Sequence, residues 1–146
     1  MFKNILVPIS GDELTKSELK MAIKLAKLDG AKITLAYVSD PVIPYSSSEI
    51  QSVLALSEKE YKKHCKLFSA KLFAKAKKMI GTDLTVAEIH ISHPNISDGI
   101  IEAAKKCKAD VIAMASHKRQ GIKGLFLRSE AHEVILHSDI PVLILN

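Results

Sequence analysis

Residues 110–146 read DVIAMASHKRQGIKGLFLRSEAHEVILHSDIPVLILN. The stretch parses as strand (110–115), loop, helix (127–137) and strand (142–145). The first strand is a short apolar run. The helix follows over 127–137, and the final strand is again apolar. Two buried strands joined through a helix form a parallel crossover unit. The loop between them holds Lys118, Arg119, Lys123 and Arg128 and no acid. A basic loop between a strand's carboxyl end and a helix start is where α/β folds bind anions.

The same alternation continues toward the amino end. Residues 2–9 are nearly all apolar and close on Pro8-Ile9-Ser10-Gly11, which suits a parallel strand buried on both faces. Leu14, Met21, Leu25 and Leu28, with Ala22 and Ala26, predict a helix over 14–28 that stops at Asp29-Gly30, with Gly30 as its C-cap. Residues 32–38 (KITLAYV) predict a second strand. Pro41, Pro44 and three consecutive serines mark residues 39–48 as a loop. A long helix is expected over 48–80, its stripe formed by Leu54, Tyr61, Cys65, Phe68, Leu72, Ala76 and Met79, with lysines on the other faces. Residues 84–91 (LTVAEIHI) predict a third strand. His93-Pro94-Asn95 then opens a helix to about Cys107, with Pro94 in its first turn. Five strands alternating with four helices predict a parallel, doubly wound, Rossmann-like α/β sheet covered on both faces.

At 146 residues, with 47% apolar and 25% charged residues, the composition is that of an ordinary globular domain. Aromatics make up 5% and Trp is absent, so the core must be aliphatic. The two cysteines, Cys65 and Cys107, have no metal or redox spacing and read as free thiols. The apolar run at 5–9 is too short for a secretory core or a membrane span, and no later run reaches membrane length. A cytoplasmic protein without membrane contact is expected. The net charge of +5 fits solvated lysine faces. Nucleic-acid binding is disfavoured, because the aromatic interleaving of a single-strand binder is missing and no zinc-finger or basic-zipper pattern is present.

The chain offers no convincing catalytic set. Ser10, Ser116 and Ser129, with Asp12, Asp40 and His117, can be drawn as a triad, but no G-x-S-x-G elbow supports one. His90 and His93 straddle a strand end and diverge. His132 and His137, five apart on a helix, lie on different faces, so no metal site is expected. Neither a GxxxxGK[ST] loop nor a GxGxxG after the first strand is present.

The opening ILVPISGDELTKSELKMAIKLAK and the tail MASHKRQGIKGLFLRSEAHEVILHSDIPVLIL, with the His93-Pro94 helix entry between them, resemble the universal stress protein family over the whole chain. The resemblance implies one domain over 1–146 and a five-stranded parallel sheet of order 3-2-1-4-5. It further implies a homodimer through the last strand, Pro141 to Leu145. An exposed apolar edge strand there makes a dimer physically sensible. ATP-binding members of the family carry G-x2-G-x9-G-[ST] in the fourth loop. Aligned on Met114, Ser116 and His117, those glycine positions hold Ala115, Lys118 and Arg128, and the hydroxyl position keeps Ser129. Glycine there permits positive φ and brings backbone N–H groups to phosphate, which Lys118 and Arg128 would not. Ser10 stands where the ATP binders have aspartate.

The resemblance and its departures imply a stress-response protein with no catalytic centre, weak ATP hydrolysis being left open, and without conventional ATP binding. The alternative is an ATP- or AMP-binding regulator, with Mg, in which Lys118, Arg119 and Arg128 replace the glycine cradle. Its ligand would meet Pro8, Ser10 and Val38 at the adenosine end, with Met114 and Ala115 as floor and Lys118, Arg128 and Ser129 at phosphate. A second alternative is a module for other anions or nucleic acid.

Overall fold

A computed structural model describes residues 1–10, 16–41, 58–115 and 130–145. Their elements, in chain order, are β1 (Asn4–Pro8), α1 (Lys16–Asp29), β2 (Lys32–Ser39), α2 (Glu58–Ile80), β3 (Val86–Ser92), α3 (Ile96–Lys106), β4 (Val111–Ala115), α4 (Glu130–His137) and β5 (Val142–Leu145). The strands form one parallel sheet of order β3-β2-β1-β4-β5, the order the resemblance implied.

Alternation along the strands builds two cores. On one face Ile5, Val7, Ile9, Ile33, Leu35, Val111 and Ala113 pack against α1 and α2. On the other, Leu6, Ala36, Ile91, Ile112 and Met114 pack against α3 and α4. Ile5, Leu6, Ile33, Leu35 and Ile112 are fully buried, which is why these strands read as continuous apolar runs. Two buried polar residues on neighbouring strands, Asn4 and Thr34, satisfy each other. Asn4 Oδ1 accepts from Thr34 Oγ1 at 2.7 Å, and its Nδ2 donates to the Cys107 carbonyl at 2.9 Å. The Asp110 carboxylate accepts from the Lys3 and Asn4 amides at 2.7 and 3.1 Å, tying β1 to the entry of β4.

Gly30 ends α1 with φ +64, and the Ala31 amide donates to the Ala26 carbonyl at 2.9 Å, the expected left-handed cap. The buried face of α1 is rotated from the expected stripe. Leu19, Ala22 and Ala26 are fully buried, whereas Met21 and Leu28 are 47% and 84% exposed. The two alanines let the helix lie close on the sheet, and this turns the bulkier Met21 and Leu28 to solvent. Helix α2 is displaced in the same way. Its buried residues are Cys65, Ser69, Phe73, Ala76 and Ile80, and Phe68 is exposed. Pro94 does not sit in the first turn of α3. Asn95 is the N-cap, with its Oδ1 accepting from the Asp98 amide at 3.0 Å, so Pro94 precedes the cap.

Candidate functional site

In an open parallel sheet the ligand crevice opens where strand order reverses. Here that point lies between β1 and β4. Their pairing covers Ile5↔Val111 and Leu6↔Ile112, while β1 stays paired with β2 through Pro8↔Ala36. The sequence explains the fork. The Ile9 amide donates toward β2, to the Ala36 carbonyl at 2.8 Å. Alternation then turns the preceding nitrogen toward β4, and that nitrogen belongs to Pro8, which has no hydrogen to donate.

The expected site residues that the structure describes lie at or just beyond the carboxyl ends of β1, β2 and β4. Pro8 is half-buried at the end of β1, and Ser10 is exposed two residues beyond. Val38, half-buried on β2, packs on the α3 side. Met114 is 7% exposed on that same side, and Ala115 is half-buried at the end of β4. Val38 and Met114 thus lie on the same face of the sheet. Lys118, Arg119, Arg128 and Ser129 lie outside the described residues, as do Asp12, Ser116 and His117. Gly99 completes this corner and was not singled out from the sequence. A Cβ at that position would lie 2.5 Å from Val38 Cγ1 and 3.2 Å from His93 Cβ, so α3 approaches the β2 tip only because residue 99 has no side chain.

A second feature lies on the opposite face. Between α2 and the outer ends of β2 and β3 is a cavity of ≈ 470 Å³, lined by Ser39, Tyr61, Cys65, Ser69, Phe73 and His90 among others. Ser39 Oγ and His90 Nε2 are hydrogen-bonded at 2.7 Å, and the Tyr37 ring sits 5.4 Å from the His90 ring and 5.7 Å from Phe68. Burial lowers the His90 pKa and favours neutral imidazole. Tyr61 donates to the Asp40 carbonyl at 2.8 Å. Its phenol is pushed well above the ordinary tyrosine range, first by burial and then by its hydrogen bond with Cys65. Sequence periodicity assigned Tyr61 and Cys65 to packing. The polar alternation Glu88, His90, Ser92 on β3 was the available signal.

His90 and His93 diverge as expected. His90 faces the cavity, and His93 Nδ1 accepts from the Asn95 amide at 3.0 Å. Among the described residues, no three His, Cys, Asp or Glu side chains converge to hold a metal ion, and no helix is long and apolar enough to cross a membrane. Cys65 and Cys107 are free thiols.

The family model for the universal stress protein family matches residues 1–146. This chain belongs to the universal stress protein family. A universal stress protein of Methanocaldococcus jannaschii, MJ0531, is 27% identical over 146 residues, covering 100% of this chain and 83% of the relative. The solved structure of the protein MJ0577 superimposes with a TM-score of 0.73 at 27% identity, covering 99% of this chain and 96% of that one. A universal stress protein solved in complex with cAMP shares the fold with a TM-score of 0.67 at 22% identity, covering 99% and 97%.

Proposed function

We propose that this universal stress protein acts in the cytoplasm as a single-domain homodimer in stress response, with no catalytic centre of its own and without the family's backbone cradle for ATP. The observation that carries this reading is the outer strand. β5 pairs with β4 on one side and is the last strand of the sheet. Leu143 is 37% exposed on it, and the adjoining helix α4 exposes Ile135 and Leu136 at 51% and 61%. An apolar edge of this kind recruits another strand unless it is covered, and a second copy would cover it by antiparallel pairing through Pro141 to Leu145. Lys118 and Arg128, at two of the three cradle positions, support the second half of the reading. Sedimentation velocity should show a dimer that Leu143→Lys converts to monomer. A monomeric wild-type chain at tens of micromolar would refute it. Calorimetry with Mg-ATP should show no heat up to about 1 mM, a concentration at which a site of even modest affinity fills.

A second reading is favoured by the pocket floor. Val38 and Met114 keep an apolar surface beside the β1–β4 fork, and a protein of the same fold is known with cAMP bound. In this reading the chain is an ATP- or AMP-responsive regulator whose Lys118, Arg119 and Arg128 side chains meet phosphate. Micromolar affinity for ATP or AMP in the same calorimetry would select it.

A further inference from the structure

The cavity beneath α2 is built rather than left over. On the α1–α2 face, the strands β1, β2 and β4 present Ile5-Val7-Ile9, Ile33-Leu35-Tyr37 and Val111-Ala113. Strand β3 begins the same way with Val86 and then presents Glu88, His90 and Ser92. Of these, His90 is half-buried under α2, while Glu88 and Ser92 are exposed along the edge strand and form the cavity's outer rim. The covering helix changes in step. Its carboxyl half fills the core with Phe73, Ala76 and Ile80, while its amino half offers Ser69, Cys65 and Tyr61 at four-residue steps. Two small side chains opposite a polar stripe leave the gap, whose volume is that of a small-molecule pocket.

The lining gives the chemistry of an occupant. Phe73 and Cys65 make an apolar floor. His90 and Ser39 add a hydrogen-bonding wall. Of the two acidic residues lining the cavity, Glu88 pairs with Lys77 at 2.8 Å, and Asp40 stands at the end of β2, where its backbone carbonyl accepts from Tyr61. Lys62 and Lys66 stand on the exposed side of the lining. Among the described residues Lys62 pairs with Glu58, at 3.9 Å, with both side chains more than two-thirds exposed, so water screens that pair.

We infer that this cavity is a second small-molecule site, separate from the β1–β4 fork, for a compact organic monoanion: an apolar ring or short chain bearing one carboxylate. The apolar body lies on Phe73 and Cys65, and the carboxylate faces Lys62 and Lys66. The inference stands apart from the proposed function, since it uses the other face of the sheet.

Cys65 serves as the reporter. The full-length protein is alkylated with iodoacetamide in the presence of 3-phenylpropionate, and adducts at Cys65 and Cys107 are followed by peptide mass spectrometry. With a Kd of about 1 mM, about 10 mM probe slows Cys65 about tenfold, while Cys107 is unchanged. Lys66→Glu, on an exposed position that leaves folding intact, abolishes the protection, and Ser69→Phe abolishes it by filling the cavity. Absence of protection at about 10 mM, or protection that survives both substitutions, overturns the inference. Equal protection by AMP also overturns it, because the cavity would then be the nucleotide site itself.

Discussion

Gly99→Ala tests whether the corner between α3 and the β2 tip is held by close approach. Two effects oppose each other. Alanine is the better helix former at an interior position by about 1 kcal/mol. Against this, the new methyl would stand 2.5 Å from Val38 Cγ1 and 3.0 Å from Cγ2. Val38 is branched at Cβ and stiff, and it sits on a strand paired on both sides, so it cannot yield as a flexible side chain would. Overpacking of this kind costs about 1–3 kcal/mol, and the shortness of the contact selects the upper end. The net loss is therefore about 2 kcal/mol, or about 4–8 °C in Tm for a chain of this size. Val38→Ala removes the two methyls that clash, so the pair of substitutions should be less harmful than the sum of its parts by about 1 kcal/mol or more. Urea unfolding of the four proteins measures this. A Gly99→Ala protein more stable than wild type, or a pair that is strictly additive, would refute the close-approach account.

Thr34→Val keeps shape but leaves Asn4 Oδ1 without its buried donor, and a loss of about 1–3 kcal/mol is expected in urea unfolding. His90 has its pKa lowered from 6.5 by burial, so the unfolded chain takes up the proton more readily. The His90 contribution is thus complete above pH 6.5 and lost as pH falls below it, and His90→Gln should flatten that part of the stability profile measured by thermal unfolding. Lys118→Gly combined with Arg128→Gly should create or strengthen ATP binding in calorimetry if side-chain bulk blocks the cradle. The same pair should weaken it if those cations hold phosphate.

The sheet was legible because its chemistry is local. Five apolar runs, each closed by a turn residue or a helix start, correspond to β1 to β5, and β5 falls on the residues 142–145 that periodicity marked. Helix existence was equally plain, but helix orientation was not. On α2, hydropathy turns Phe68 inward, whereas Ser69 is the buried residue. Ser69 can face inward because its hydroxyl donates to the Lys66 carbonyl one turn back, at 2.8 Å, and so carries no unsatisfied group into the interior. Phe68 covers its ring against Tyr37 instead. A pattern of apolar and polar letters contains neither fact. The Pro94 assignment failed for a similar reason. Asn95 competes for the cap with a side-chain oxygen that accepts from both Ser97 and Asp98, and a cap held on two donors outweighs the preference of proline for the first turn.

The tip of β2 shows why one strand serves two different pockets. Consecutive side chains leave a strand on opposite faces. Val38 therefore belongs to the α3 side and the apolar floor near the fork, and Ser39 belongs to the α2 side and the cavity with His90. The ladder fixes this assignment. Val38↔Ile91 and Ser39↔Ser92 set the register with β3, and the His93 amide donates to the Ser39 carbonyl at 2.9 Å just beyond it. A slip of one residue would exchange the two faces and put a hydroxyl against Gly99. Because the sheet itself lies between the pockets, changing Val38 alters the surface on the α3 side without changing what lines the cavity. Val38→Ala should accordingly leave the alkylation rate of Cys65 within about twofold of wild type, as expected when two sites share no partner. A rate that moved with Val38 would mean that the β2 tip shifts as one piece, and that the two pockets are the ends of a single deformable element.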